Sequence, residues 1–195
     1  MIYLVRHGQT EFNAAGRWQG QVDSPLTALG RQQAARVGLT LRGLTDPTDL
    51  AIFSSPLGRA RDTALLIAAA IEAVDEIHVD PRLMEIGMGA WDGLTTYEID
   101  MEWPNARDGL DRFEWFFHSP DGETHEVFAD RLTQALADIA RHPATSKIIV
   151  SHGVAGRVIR GLFARLDQKS ALSLDVPQDA IFRLANGEIT RIDCA

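Results

Sequence analysis

The chain has 195 residues, 45% apolar and 24% charged, proportions that suit one ordinary folded domain and exclude a disordered or fibrous chain. A formal charge of −8 argues against a phosphate-coated polymer, so no nucleic-acid partner is expected. The opening Met1-Ile2-Tyr3-Leu4-Val5-Arg6 lacks a signal-peptide pattern, and no apolar run approaches the roughly 18–20 residues that span a bilayer. The single Cys194 has no partner for an internal disulfide, and a cytoplasmic protein without a membrane partner is expected.

In chain order, residues 2–5 read as a strand. Thr27 suits the N-cap of a helix with Ala34, Val37 and Leu41 on one face. A second strand covers 51–53, and Ser55-Pro56 then reads as an N-cap with proline at the first helical position. The helix it opens carries Ala60, Ala64, Ile67 and Ile71 at helical spacing. Thr124 suits a further N-cap, with Phe128, Leu132, Ala135, Leu136 and Ile139 turned inward. A strand over 148–150 leads into a helix after Gly153 with Val154, Val158, Leu162 and Leu166 on its inner face. Strands at 180–184 and 189–192 flank Asn186-Gly187, a strong hairpin signal. This alternation predicts an α/β fold: three αβα layers, a mostly parallel central sheet and a C-terminal antiparallel hairpin. Residues 1–195 form one domain in this reading. The weakly periodic, aromatic-rich stretch at about 87–123 is an insertion covering the site, where Trp103, Phe113, Trp115, Phe116 and Phe117 either meet a leaving group or fill a core.

Three strands are followed by chemically loaded segments: Arg6-His7-Gly8, then Ser54-Ser55-Pro56-Leu57-Gly58-Arg59, then Ser151-His152-Gly153. Ligands of open α/β sheets bind beyond the carboxyl ends of the strands, so two histidines and two arginines are expected to share one crevice. Glycine there lets backbone approach a ligand and frees N–H groups for an anion, and arginines hold phosphate oxygens in pairs. The rival sites lack support. There is no His-x-x-x-His or cysteine pair for a metal, no Gly-x-Gly-x-x-Gly or Gly-x-x-x-x-Gly-Lys, and no Gly-x-Ser-x-Gly elbow. Phosphate held by arginine and attacked by histidine remains, with neither metal nor cofactor required.

Leu4-Val5-Arg6-His7-Gly8-Gln9-Thr10, Asn13, Gln19-Gly20, and Asp23 through Thr27 resemble the opening of the histidine phosphatase, or phosphoglycerate mutase-like, superfamily. The likeness continues at Ser54–Ala64, at Leu83-Met84-Glu85-Ile86-Gly87 with Trp91-Asp92-Gly93, and at Val150-Ser151-His152-Gly153. It implies that His7 is the nucleophile and forms a phosphohistidine, and that Arg6, Arg59 and His152 surround the phosphoryl oxygens. It further implies polar contacts from Asn13, Gln19, Gly20 and Gly153, and Glu85 as proton donor to the leaving oxygen, rather than a surface glutamate paired with Arg82. Gln19 departs from the serine or threonine that many members carry there. The short stretch between Glu85 and His152, the missing Glu-Arg-His-Tyr-Gly and the Pro120-Asp121-Gly122-Glu123-Thr124 run are similar to the phosphatases of the superfamily rather than its mutases. The expected activity is therefore hydrolysis of a small phosphate ester. A cofactor-dependent phosphoglycerate mutase and a non-catalytic phosphate-ligand binder are the alternatives, and the sequence is compatible with a homodimer.

Overall fold

The computed structural model describes residues 1–72 and 76–194. Six strands form one mixed sheet: β1 (Ile2–Arg6), β2 (Leu50–Ser54), β3 (Ile77–Val79), β4 (Ser146–Ser151), β5 (Ala180–Ala185) and β6 (Glu188–Asp193), in the order β3-β2-β4-β1-β5-β6. The pairs β2–β3, β2–β4 and β1–β4 are parallel, while β1–β5 and β5–β6 are antiparallel.

Strand side chains alternate between the two faces, and the cores divide accordingly. Tyr3, Val5, Ile52, Ile148, Val150 and Ile181 pack against α2 (Ala28–Arg42), which follows the single-turn α1 (Glu11–Ala14), and against α3 (Gly58–Ile71). Leu4, Ala51, Phe53, Ile149, Phe182 and Leu184 pack against α5 (His125–Arg141) and α6 (Gly153–Ala164). The three αβα layers are thus as expected. Gly38 lets α2 approach α3 closely: a Cβ there would lie 2.6 Å from the Cβ of Ala70.

Thr27 caps α2 by accepting the Gly30 N–H at 3.0 Å, and Thr124 caps α5 through the Val127 N–H. Asn186 and Gly187 both take positive φ, 52° and 81°, as a tight hairpin turn needs.

Three expectations change. β3, a half-buried edge strand, was not anticipated; three residues are too few for periodicity to register. α3 begins at Gly58 rather than at Pro56, and its N-cap residue Leu57 makes no side-chain cap bond. Its first N–H groups, at Gly58 and Arg59, donate instead to the carboxylate of Asp23 in a distant loop. α6 buries Val154, Ala155, Val158 and Ile159, while Leu162 in its last turn and Leu166, beyond the left-handed Arg165 that ends it, are exposed.

The large rings of the 87–123 stretch make core. Trp91, Trp115 and Phe116 are buried, and Trp115 meets Trp18 edge-on at 4.9 Å. A short helix, α4 (Thr96–Glu102), lies within the stretch, closed by a capping box between Thr95 and Glu98.

Candidate active site

The carboxyl ends of β1, β2 and β4 are level. Arg6 pairs with Ser151 and Ser54 with Val150, so the segments that follow leave the sheet together. The ladder continues one step beyond the strands: His7 N–H donates to Ser151 O at 3.0 Å and Ser55 N–H to Val150 O at 3.1 Å. Only glycine fits at position 8, because a Cβ there would lie 2.2 Å from the Gly30 carbonyl oxygen. The chain therefore turns tightly against the start of α2, and His7 is driven inward. A cleft of about 320 Å³ opens here, lined by Arg6, His7, Asn13, Gln19, Gly20, Arg59, Glu85 and Gly153 among others. Of the expected site residues only His152 does not line it; its ring packs behind, 5.1 Å from that of His7.

Both histidines are almost fully buried, at 2% and 1% exposure. His7 Nδ1 lies 2.8 Å from the Gly8 carbonyl, which can only accept, so the proton sits on Nδ1 and Nε2 carries the free lone pair. Burial, then the charges of Arg59 and Arg6, hold His7 well below the ordinary histidine value. Burial and the neighbouring Arg59, His7 and Arg6 do the same to His152. Both rings are accordingly neutral at pH 7.

Arg59 is 1% exposed and tightly tied. Its Nη2 donates to Gly20 O at 2.7 Å, and its Nη1 donates to Val22 O at 2.9 Å and to Asp23 Oδ1 at 3.1 Å. Arg6 Nη1 donates to Val176 O at 2.6 Å, and burial lowers its pKa to about 10. Arg6 Nε, Arg59 Nε and His152 Nδ1 are buried without a hydrogen-bond partner. Each such orphan costs about 1–3 kcal/mol. The Arg6 and Arg59 donors border the cleft beside His7 and can serve an anion there, with His152 Nδ1 behind; Gln19 Oε1, also in the lining, is likewise unpartnered.

Glu85 stands opposite. Its carboxylate accepts N–H bonds from Val154 at 3.0 Å and Ala155 at 2.9 Å, in the first turn of α6, and from Ile86 at 3.1 Å. Arg82 pairs with Asp80 and Asp138, not with Glu85. Gly153 lies between the two sides of the site: a Cβ there would meet Arg6 Nε at 3.6 Å and Glu85 Oε2 at 3.7 Å. Asn13 turns its amide oxygen to Thr10 N–H and to Gln178 Nε2.

Several contributors carried no sequence signal of their own. Ser55, expected as a helix cap, instead hydrogen-bonds His152 Nε2 at 2.8 Å. Gln178 comes from a loop after α7 (Gln168–Leu172) and holds both His7 O and Asn13. Arg131 of α5 pairs with Glu123 and donates to the carbonyls of Arg82, Met84 and Glu85, fixing the segment that carries Glu85. Trp18 and Arg157 line the cleft, whereas Trp103, Trp115 and Phe116 do not. Among the described residues, no group of three His, Cys, Asp or Glu side chains is arranged to hold a metal ion, and no helix is long and apolar enough to cross a membrane.

A crevice at level strand ends, lined by one neutral histidine with a second packed behind it, four arginines and a carboxylate, belongs to a phosphoglycerate mutase-like α/β protein. The chain belongs to the histidine phosphatase superfamily, branch 1, whose family profile matches residues 2–192. A probable phosphoglycerate mutase, GpmB, from Citrobacter koseri is 39% identical over 98% of this chain and 84% of its own length. Among solved structures, Bacillus stearothermophilus YhfR superposes with a TM-score of 0.81 at 31% identity, covering 98% of this chain and 95% of that one. A mycobacterial glucosyl-3-phosphoglycerate phosphatase, solved with VO3, gives 0.75 at 30% identity over 93% of this chain and 92% of that one.

Proposed function

We propose that this chain is a phosphomonoesterase that hydrolyses a small phosphorylated metabolite through a phosphohistidine on His7. The observation that carries the reading is the trio of unpartnered buried donors, Arg6 Nε, Arg59 Nε and His152 Nδ1, beside and behind a histidine whose Nε2 is unprotonated. Phosphoryl transfer needs chiefly in-line positioning and stabilisation of equatorial charge, which such donors supply. In the first step His7 Nε2 attacks phosphorus, the ester P–O bond breaks, and Glu85 gives a proton to the leaving oxygen. In the second, water attacks the phosphohistidine, its proton passes to Glu85, and the P–N bond breaks to release phosphate. Asn13, Gln19, Gly20 and the Gly153 N–H complete the binding of the phosphoryl oxygens. The whole of 1–195 acts as one catalytic domain, to whose cleft the 87–123 segment gives Met88 and, through Trp115, the packing against Trp18.

Hydrolysis of p-nitrophenyl phosphate by the purified protein, with and without a chelator, tests this. Activity insensitive to chelator and reduced on the order of 10⁴-fold or more in His7→Ala is expected, with an acid-labile phosphoryl adduct trapped on His7. Chelator-sensitive turnover, or full activity in His7→Ala, contradicts it. The GpmB relative keeps a mutase reading in view. Conversion of 3-phosphoglycerate to its 2-isomer with little phosphate release would favour that reading.

A further inference from the structure

Residues 82–85 run from a short 3-10 turn (Pro81–Leu83) to Glu85 without joining the sheet. Among the described residues, none of their carbonyls accepts a backbone N–H. Side chains take them instead: Ser151 Oγ donates to Leu83 O at 2.9 Å, and Arg131 of α5 donates to the carbonyls of Arg82, Met84 and Glu85. A segment that no ladder holds is therefore held chiefly by one arginine.

Arg131 uses every N–H that a guanidinium has. Its Nη1 donates to Arg82 O and Met84 O, both at 2.8 Å, and its Nη2 to Glu85 O at 2.9 Å and Glu123 Oε2 at 2.7 Å. Its Nε donates to Glu123 Oε1 at 2.7 Å. Glu123 is tied to the same segment: its Oε2 accepts Gly87 N–H at 2.8 Å, and its own N–H donates to Gly87 O at 2.8 Å. The Arg131 guanidinium carbon lies 4.6 Å from the centre of the Phe128 ring.

Arg131 does not line the cleft, and the Glu85 carboxylate accepts from Ile86, Val154 and Ala155 instead. Those N–H groups set the tilt of the carboxyl, while the carbonyls set the place from which its side chain springs. A general acid works only within hydrogen-bond reach of the oxygen it protonates. Misplacement by about 1 Å can cost on the order of a hundredfold in rate.

We propose that Arg131 is a positioning residue for the proton donor: by gripping the backbone at residues 82, 84 and 85 it keeps the Glu85 carboxyl in reach of the leaving oxygen. Its contribution then grows with the leaving group's need for a proton. This rests on the reading of Glu85 as the acid of a phosphomonoesterase. The proton itself passes from Glu85 to the ester oxygen as the P–O bond breaks, and Arg131 exchanges none.

The test compares kcat/KM for p-nitrophenyl phosphate and glycerol 3-phosphate. p-Nitrophenolate leaves as a stable anion, whereas an alkoxide needs the proton. In Glu85→Gln the ratio of aryl to alkyl ester is expected to rise on the order of 10²–10⁴-fold, the range of a general acid. In Arg131→Met it rises roughly tenfold to hundredfold, and in Arg131→Lys, which keeps the charge but cannot span all the carbonyls, by less. The Glu85→Gln, Arg131→Met double variant shows no rise beyond that of Glu85→Gln. The ratio is internal to each preparation, so the folded fraction does not alter it. If Arg131→Met does not fold, Arg131→Lys and Glu123→Gln, which frees the guanidinium from its anchor, carry the comparison with a rise expected in both. An unmoved ratio in these variants beside a raised one in Glu85→Gln overturns the positioning role and leaves the hydrolase reading intact. A further rise in the double variant overturns it as well, because Arg131 would then act other than through Glu85. An unmoved ratio in Glu85→Gln removes Glu85 as the acid and overturns both readings.

Discussion

Ser55 decides what His152 can do. With Leu57 N–H donating to Ser55 Oγ at 3.3 Å, the hydroxyl proton is free to point at His152 Nε2, which leaves the ring proton on the unpartnered Nδ1. A neutral imidazole has one donor and one acceptor, so the neighbour that claims one nitrogen sets the role of the other. Ser55→Ala releases that choice, and kcat is expected to fall by about tenfold to hundredfold, with KM less affected and Ser55→Thr recovering part of the loss. Nitrogen-15 shifts of His152 read the tautomer directly; an unmoved tautomer population alongside an unmoved kcat would remove Ser55 from the mechanism. His7 itself was legible from its place after an apolar strand. The Ser55 contact was not, since it joins residues 97 positions apart.

At the scale of elements, α3 owes its beginning to a loop far away in sequence. Asp23 accepts from the N–H groups of Gly58 and Arg59 and pairs with the Arg59 guanidinium at 3.1 Å. A carboxylate at a helix N-terminus satisfies orphan donors and meets the positive end of the helix dipole. Asp23→Ala should lower unfolding free energy by about 1–2 kcal/mol and raise KM for the phosphate ester by loosening Arg59. Denaturant titration and steady-state kinetics read the two effects separately, and a stability loss without any change in KM would confine Asp23 to capping. The helix spans themselves followed from apolar spacing, as Ala60, Ala64, Ile67 and Ile71 illustrate. The misplaced start came from reading Ser55-Pro56 locally, when a carboxylate from outside had taken the capping role.

For the molecule as a whole, two neutral histidines in one buried site tie stability to pH. His7 and His152 have their pKa lowered well below 6.5 by burial and adjacent arginines, while in the unfolded chain they titrate near 6.5. Below that value the unfolded state binds protons that the folded state refuses, so stability is full above about pH 6.5 and declines on acidification towards the folded-state values. Each histidine contributes up to about 1.4 kcal/mol per pH unit in that window. Urea unfolding of the native protein between pH 7 and 5 should therefore show a steeper decline than that of a His7→Asn, His152→Asn double variant. Parallel declines would mean that neither ring is held neutral by the fold.

The amino-acid order alone determined which segments are strands and helices wherever an apolar period ran for several turns, as in α2, α3 and α5. It determined as well that Arg6-His7-Gly8, the segment bearing Arg59, and Ser151-His152-Gly153 follow strands and so meet at the carboxyl ends of the sheet. Periodicity and turn chemistry are local, and strand ends converge by rule in α/β sheets. Only the tertiary structure decided that Ser55 serves His152, that Asp23 caps α3, that Gln178 and Arg131 brace the site, and that the large aromatic rings fill core while Arg157 faces the cleft. Those outcomes depend on which donor finds which acceptor across scores of residues. Three-dimensional packing sets such pairings, and no local pattern records them.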